Sequence, residues 1–377
     1  MLQSLVDKSL LRHTGDRFWM LETIREFAVE RLQHLAETSD ILERHAQWYL
    51  RLAKSAHGAL HGAGQEEWLV RLDSDLENLR SAIGWAWNND EHLQVELAGA
   101  TWYFLSVRGL LREALGYLVH ALETAQKDLS LDQSELLYGS AYVAVRTGDY
   151  AAVERWSEQR LELGRARGDA PVIALSLVGL ALAARFHRGD RERARTLYRE
   201  AAKVARDCGD TLTLGIVVHN LGNIALEEGD AETARMHLQQ ALELDRELSD
   251  TRDEALVLVG LSLVALLESD IDEAAALLGS SLRLAGSLGD QELIFGCLMG
   301  SAEVAARRGE TVRAARLLGA ADALREEIGY ASDPLDREQR ARIAAVLGDD
   351  ATLVSAQSQG RALTIDDAVA YALGEHD

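Results

Sequence analysis

The chain has 377 residues, long for one compact core, and a formal net charge of −22. So acidic a chain is repelled by phosphate backbones and anionic lipid, which argues against nucleic acid and membrane surfaces as direct partners. Two prolines, 6% aromatic residues and abundant Ala, Leu, Glu and Arg predict helix almost throughout. Cys208 and Cys297 stand alone and far apart, which implies a reducing compartment and no disulfide framework. The start, MLQSLVDKSLL, places Asp7 and Lys8 inside any apolar stretch, so no signal peptide is legible. The longest apolar runs, Pro171–Ala184 and Ala255–Leu267, are shorter than the ~20 residues of a membrane span. A cytoplasmic protein is expected.

Residues 1–38 differ in kind from the rest. Ser9–Thr14 reads as a strand, Gly15-Asp16 as a tight turn and Arg17–Leu21 as the returning strand. From about Thr23, Ile24, Phe27, Ala28, Arg31 and Leu32 fall at helical spacing. A strand hairpin packed on a helix is the second half of a winged helix. A lone hairpin is marginal in water, so this one must lean on the helices after it or on another module. Residues 39–95 form a helical connector rich in Trp48, Tyr49, Trp68, Trp85 and Trp87, and Trp102, Tyr103 and Phe104 follow. Rings of that size suit a junction between an irregular cap and the first regular repeat; the alternative is an exposed aromatic partner site.

Residues 96–330 repeat. Asp149, Asp190, Asp230, Asp270 and Glu310 are spaced 41, 40, 40 and 40 residues apart. Each follows a turn residue: Gly148, Gly189, Gly229, Ser269 and Gly309, with Gly109 before them. Five residues past the turn residues stand Ala114, Val153, Ala194, Ala234, Ala274 and Ala314; twelve past stand Ala121, Arg160, Ala201, Ala241, Ser281 and Ala321. Gly ends one helix in the left-handed conformation and Asp caps the next. Small residues at fixed offsets let two antiparallel helices approach closely, so His219–Asp250 reads as one helical hairpin of a tetratricopeptide-like array. The 40-residue period exceeds the usual ~34, which makes each helix almost a turn longer. The fold class is therefore all-α: a solenoid of roughly six hairpins, each unit in contact with its neighbours only. After Tyr330 the period stops, Asp333-Pro334 breaks the chain, and 331–377 should form a helical cap with Thr364 capping the last helix, Ile365–Leu373.

Several stretches resemble the bacterial STAND-type ATPases, the large LuxR-like transcription factors related to the NB-ARC proteins. LVDKSLL and RFWMLETIREFAVERL are similar to the end of that family's winged helix. HAQWYLRLAKSA, WLVRLDSDLENLRSAIGWAW and LAGATWYFLSVRGLLREALGYLVHAL are similar to its connection into the repeats, and LLGAADALREEIGY with GRALTIDDAVAYAL to its tail. The resemblance implies a repeat arm that follows an ATPase module. No GxxxxGK[ST] is present, so this chain carries no phosphate cradle. The family's Met-His-Asp triplet corresponds to Met20, Leu21 and Glu22, and Leu21 cannot donate a hydrogen bond to a nucleotide.

No catalytic, cofactor or metal constellation is legible, and an enzyme is not expected. His57 and His61 are four apart but lie among glycines without an HExxH. Glu227, Glu228 and Asp230 read as solvated carboxylates of an exposed turn. Cys208 near a helix C-terminus is not an activated thiolate. What remains is the concave face, where the first helix of each unit places Tyr103, Tyr138, Tyr142, Arg146, His187, His219, Asn223, Glu227, Glu303 and Arg307, with Val259 and Leu263 from the fifth unit. Side chains of these kinds recognise ligands. The favoured reading is a non-catalytic sensor or interaction arm of a STAND-type regulator, binding a protein, peptide or small inducer in its groove. A free-standing peptide adaptor comes second. A DNA-binding regulator comes third, since residues 1–35 hold five basic and five acidic side chains and no visible recognition helix.

Overall fold

The computed structural model describes residues 2–15, 17–33, 38–125, 133–348 and 351–375. Helix α1 (Leu2–Asp7) leads into two three-residue strands, β1 (Arg12–Thr14) and β2 (Arg17–Trp19), and α2 (Glu22–Gln33) follows. The strands pair antiparallel with Arg12 opposite Trp19, as the sequence predicts, though shorter; Asp16 of the expected turn lies outside the described residues. The hairpin leans on the helices after it. Arg17 donates to Asp75 Oδ2 at 3.1 Å and to the Ser74 carbonyl at 2.9 Å, at the end of α4 (Gln65–Ser74). Asp75 also accepts from the Tyr49 hydroxyl of α3 (Thr38–Ala59) and from Asn78 of α5 (Leu76–Asn89). Burial pushes the Asp75 carboxyl up, but these donors outweigh it and hold the group below the usual carboxylate range.

Six helical hairpins follow: α6 (Glu91–Val107) with α7 (Leu111–Ala125), α8 (Ser134–Thr147) with α9 (Tyr150–Arg167), α10 (Ala170–Phe186) with α11 (Arg191–Cys208), α12 (Thr211–Glu227) with α13 (Ala231–Leu248), α14 (Thr251–Leu267) with α15 (Ile271–Leu288), and α16 (Gln291–Arg307) with α17 (Thr311–Ile328). The fold is an all-α, tetratricopeptide-like solenoid. The long period appears as helices of 17 and 18 residues. Capping by Asp is general: Asp149, Asp169, Asp190, Asp210, Asp230, Asp250, Asp270 and Asp290 each accept from the backbone N–H three residues on. Ser249 and Ser269 take the left-handed conformation that Gly holds in other units. The small residues do what the period implies. Leu238 of α13 is fully buried between Gly222 of α12 and Gly260 of α14, and a Cβ on either glycine would press on it.

The expectation that each unit meets only its neighbours fails. Gln65 donates to Asp250 Oδ1 at 2.8 Å and accepts from the Arg252 backbone at 3.1 Å. Arg108 reaches the Gly289 carbonyl, and the Ala331 N–H donates to the Arg146 carbonyl at 2.8 Å. Leu288 packs into the same apolar core as α3 to α8. The helices before and in the first unit thus close against the fourth to sixth, and the curved array wraps around an interior.

The end of the array is covered by α18 (Pro334–Leu347), α19 (Ala351–Arg361) and α20 (Ile365–Leu373). Asp333 and Asp336 form a reciprocal capping box with Pro334 in the first turn, and Thr364 caps α20. Helix α19 crosses α17 where Gly319 and Gly360 face each other's backbone, too close for any side chain. No described helix is long and apolar enough to cross a membrane.

Candidate functional site: a cavity inside the superhelix

The interior holds a cavity of about 260 Å³, lined chiefly by the first helices of units one to five. One wall is aromatic. Tyr103 of α6 and Tyr138 and Tyr142 of α8 meet edge to face, with Tyr142 5.8 Å and 6.1 Å from the other two ring centroids. The Arg146 guanidinium lies 3.4 Å above the Tyr142 ring. Arg160, the residue that breaks the small-residue rule of unit two, is buried; it donates to the Ser134 carbonyl and rests over Tyr138.

A second wall is an ionic chain. Arg146 Nε donates to Glu292 Oε2 at 2.7 Å, Arg252 Nη2 donates to the same oxygen at 3.0 Å, and Arg252 Nε pairs with Asp290 Oδ2 at 2.7 Å. Burial pushes the Glu292 carboxyl up, yet the two arginines hold it below the ordinary range. Asp253 lies 3.5 Å from Arg252, but burial and then Asp250 push its carboxyl up to about 6.

The third wall is α12 with the end of α13. His219 sits 3.4 Å from the Asn223 amide nitrogen. Burial, then the charges of Arg185 and Arg252, push the imidazole down to about 4, so it is neutral at physiological pH. Asp245 of α13 lines the cavity opposite Gly215 and is 3% exposed.

Of the residues placed on the inner face by repeat register, Tyr103, Tyr138, Tyr142, Arg146, His219 and Asn223 line this cavity, and His187, Glu227, Glu303 and Arg307 do not. His187 is the exposed residue after α10, 4.0 Å from Glu154. Glu227 is not a solvated turn carboxylate. Its side chain is 3% exposed and receives Arg185 and Arg191, because the end of α12 packs against the neighbouring unit. Glu303 is 2% exposed and held by Arg307 and Arg342, since the cap helix α18 occupies the inner face of unit six. In unit five the cavity is lined by Arg252, Asp253, Leu256 and Val257 at the start of α14, not by Val259 and Leu263.

Register reasoning missed His61, Arg185, Asp245, Arg252, Glu292 and Tyr330. Part of that was recoverable: Leu212, Arg252 and Glu292 share one register position, 40 residues apart, and all three line the cavity. His61 packs on Tyr103 with ring centroids 4.2 Å apart, and burial is the main cause that pushes it down to about 4. Its neighbour His57 approaches Glu135 at 3.3 Å. Among the described residues, no group of His, Cys, Asp and Glu is placed to hold a metal.

Comparison with known proteins agrees with this architecture. A model of the tetratricopeptide repeat matches residues 213–287, which run from α12 into α15. The crystal structure of NprR in complex with its cognate peptide NprX is similar, with a TM-score of 0.52 and 16% identity, over 73% of this chain and 76% of that one. A Rap protein complexed with Competence and Sporulation Factor gives a TM-score of 0.52 and 14% identity, over 87% of this chain and 100% of that one. A STAND protein with a tetratricopeptide repeat sensor from Pyrococcus horikoshii aligns with a TM-score of 0.44 and 16% identity, over 95% of this chain and 57% of that one. No curated protein sequence matches the chain.

Proposed function

We propose that the chain is a non-catalytic sensor arm that binds a short peptide in its inner cavity. The observation that carries this reading is the cavity itself, where tyrosines, a neutral histidine, an asparagine and an ionic chain converge from separate repeats. Rings and rigid polar groups of these kinds bind with little loss of side-chain entropy. The similarity in fold to the NprR structure solved with its cognate peptide NprX supports a peptide as the ligand class. The winged-helix-like start and the order of the motifs support placing the arm in a STAND-type transcriptional regulator of the cytoplasm, with residues 1–38, 39–95, 96–330 and 331–377 as winged-helix remnant, connector, sensor repeats and cap. An upstream ATPase module is the partner this placement requires.

The test is affinity selection of short peptides on the full chain, followed by titration of the selected peptide. A His219→Ala, Asn223→Ala double variant is expected to bind it at least about tenfold more weakly, the loss of one or two hydrogen bonds, with the same helix content by circular dichroism. Unchanged affinity would exclude this wall of the cavity. A free-standing adaptor is separated from a regulator arm by in-frame or adjacent coding sequence: an ATPase-encoding segment there supports the arm.

A further inference from the structure

Asp245 has no evident structural task. It lies near the end of α13, where its Oδ2 is buried and accepts no hydrogen bond. Among the described residues no basic side chain pairs with it. The other acids lining the cavity are occupied: Glu292 by Arg146 and Arg252, Asp253 by Arg252, and Asp333 by the cap of α18. A buried carboxylate without a partner costs stability, and such groups concentrate at functional sites. The opposing residue on α12 is Gly215, where a Cβ would come 3.1 Å from Asp245 Oδ1, so any larger side chain would crowd the carboxylate.

The surroundings select for positive charge. Asp250, Asp253 and Glu254, at the start of the adjacent α14, all face Asp245 electrostatically. Arg252 on that helix is committed to Asp290 and Glu292, and His219 on α12 is neutral. From Asp207 to Glu303 the chain holds 19 acidic and 4 basic side chains, a field that draws cations towards this part of the array. The volume, about 260 Å³, is at the small end for ligand sites.

We propose that the cavity takes a ligand bearing a primary ammonium or guanidinium group, which seats on the Asp245 carboxylate. This rests on the peptide-sensor reading and narrows it: the recognised group is an amine on a short peptide or on a free small molecule. Burial, then Asp253, Asp250 and Glu254, push the Asp245 carboxyl up to about 8. A proton therefore competes with the entering cation for this carboxyl, and affinity is expected to fall as pH is lowered.

The full chain is titrated with three probes of one length, 1,5-diaminopentane, 1,5-pentanediol and glutarate. Acetyl-Ala-Lys-Ala-amide and the same tripeptide with acetylated lysine are run beside them. The diamine, the lysyl tripeptide or both are expected to bind and to raise the melting temperature. The diol, glutarate and acetyl-lysine forms are expected to do neither. Binding by the tripeptide alone assigns the amine to a peptide, and binding by the diamine alone to a free amine. Asp245→Asn is expected to remove the response while melting higher than the parent when empty, and Gly215→Ala to weaken binding by crowding the carboxylate. Equal binding of the diol, an unaltered response in Asp245→Asn, or no binding by either amine overturns the proposal. If selected peptides bind regardless of charge and of Asp245→Asn, this proposal fails and the peptide-sensor reading stands. If no peptide is selected while the diamine binds through Asp245, the reverse holds.

Discussion

Two buried carboxylates on the inner side of the array show how its ends differ from its middle. Glu303, in unit six, is covered by α18 and held by Arg342 and Arg307. Asp245, in unit four, is equally buried but lines a cavity, and among the described residues no cation pairs with it. Glu303 stands on the first helix of its unit and Asp245 on the second helix of its own, so the two occupy different positions of the repeat. The difference is what fills the concavity. At the end of the array a helix of the same chain supplies the arginine. In the middle no described side chain supplies one to Asp245.

Breaking a satisfied site should cost most. Arg252→Ala strips Asp290 of the one cation that pairs with it among the described residues and Glu292 of one of two, so it is expected to destabilise the chain by about 3–5 kcal/mol, read as a lower urea midpoint. The unsatisfied site should respond with the opposite sign. Asp245→Asn is expected to stabilise the empty chain at neutral pH and above, because it removes a charge that burial and the neighbouring carboxylates disfavour. Its pH dependence sharpens the contrast. The folded carboxyl is raised to about 8 from an ordinary value near 4, so the folded chain holds the extra proton between these values. Native stability therefore falls as pH rises from about 4 to 8, and the melting-temperature advantage of Asp245→Asn should grow across that window and level off above it. A constant advantage would mean that Asp245 keeps an ordinary pKa. The smallest effect belongs to a half-exposed pair: Arg17→Ala is expected to cost about 1 kcal/mol globally, since Arg17 is 47% exposed and Asp75 keeps Tyr49 and Asn78 as donors, yet to speed hydrogen exchange in β1 and β2, which Arg17 ties to Asp75.

Much of the fold was legible because its causes are local. The 40-residue period, the Gly-Asp helix boundaries and the stop at Asp333-Pro334 each follow from backbone conformation and capping, which act over a few residues. The inner-face register was legible for α6, α8 and α12, where Tyr103, Tyr142 and His219 reach the cavity. It failed at Glu303 and Arg307 because a helix far along the chain covers them, and no local pattern signals that α18 folds back on α16. It failed at Glu227 because burial at the end of α12 comes from Arg185 of the neighbouring unit. Asp245 was out of reach for another reason: it belongs to a second helix, and curvature, rather than period, turns the end of α13 towards the interior. The closure of Gln65 onto Asp250 and Arg252 is likewise a property of the accumulated curve.

Hydrogen exchange of the full chain, with and without a selected peptide, tests the inner cavity as the binding site most directly. The expected result is protection in the lining segments 137–146, 212–223 and 252–257, with α17 and α19 unchanged. Protection confined to residues 2–33 or to the outer second helices, with those lining segments unaffected, would contradict it.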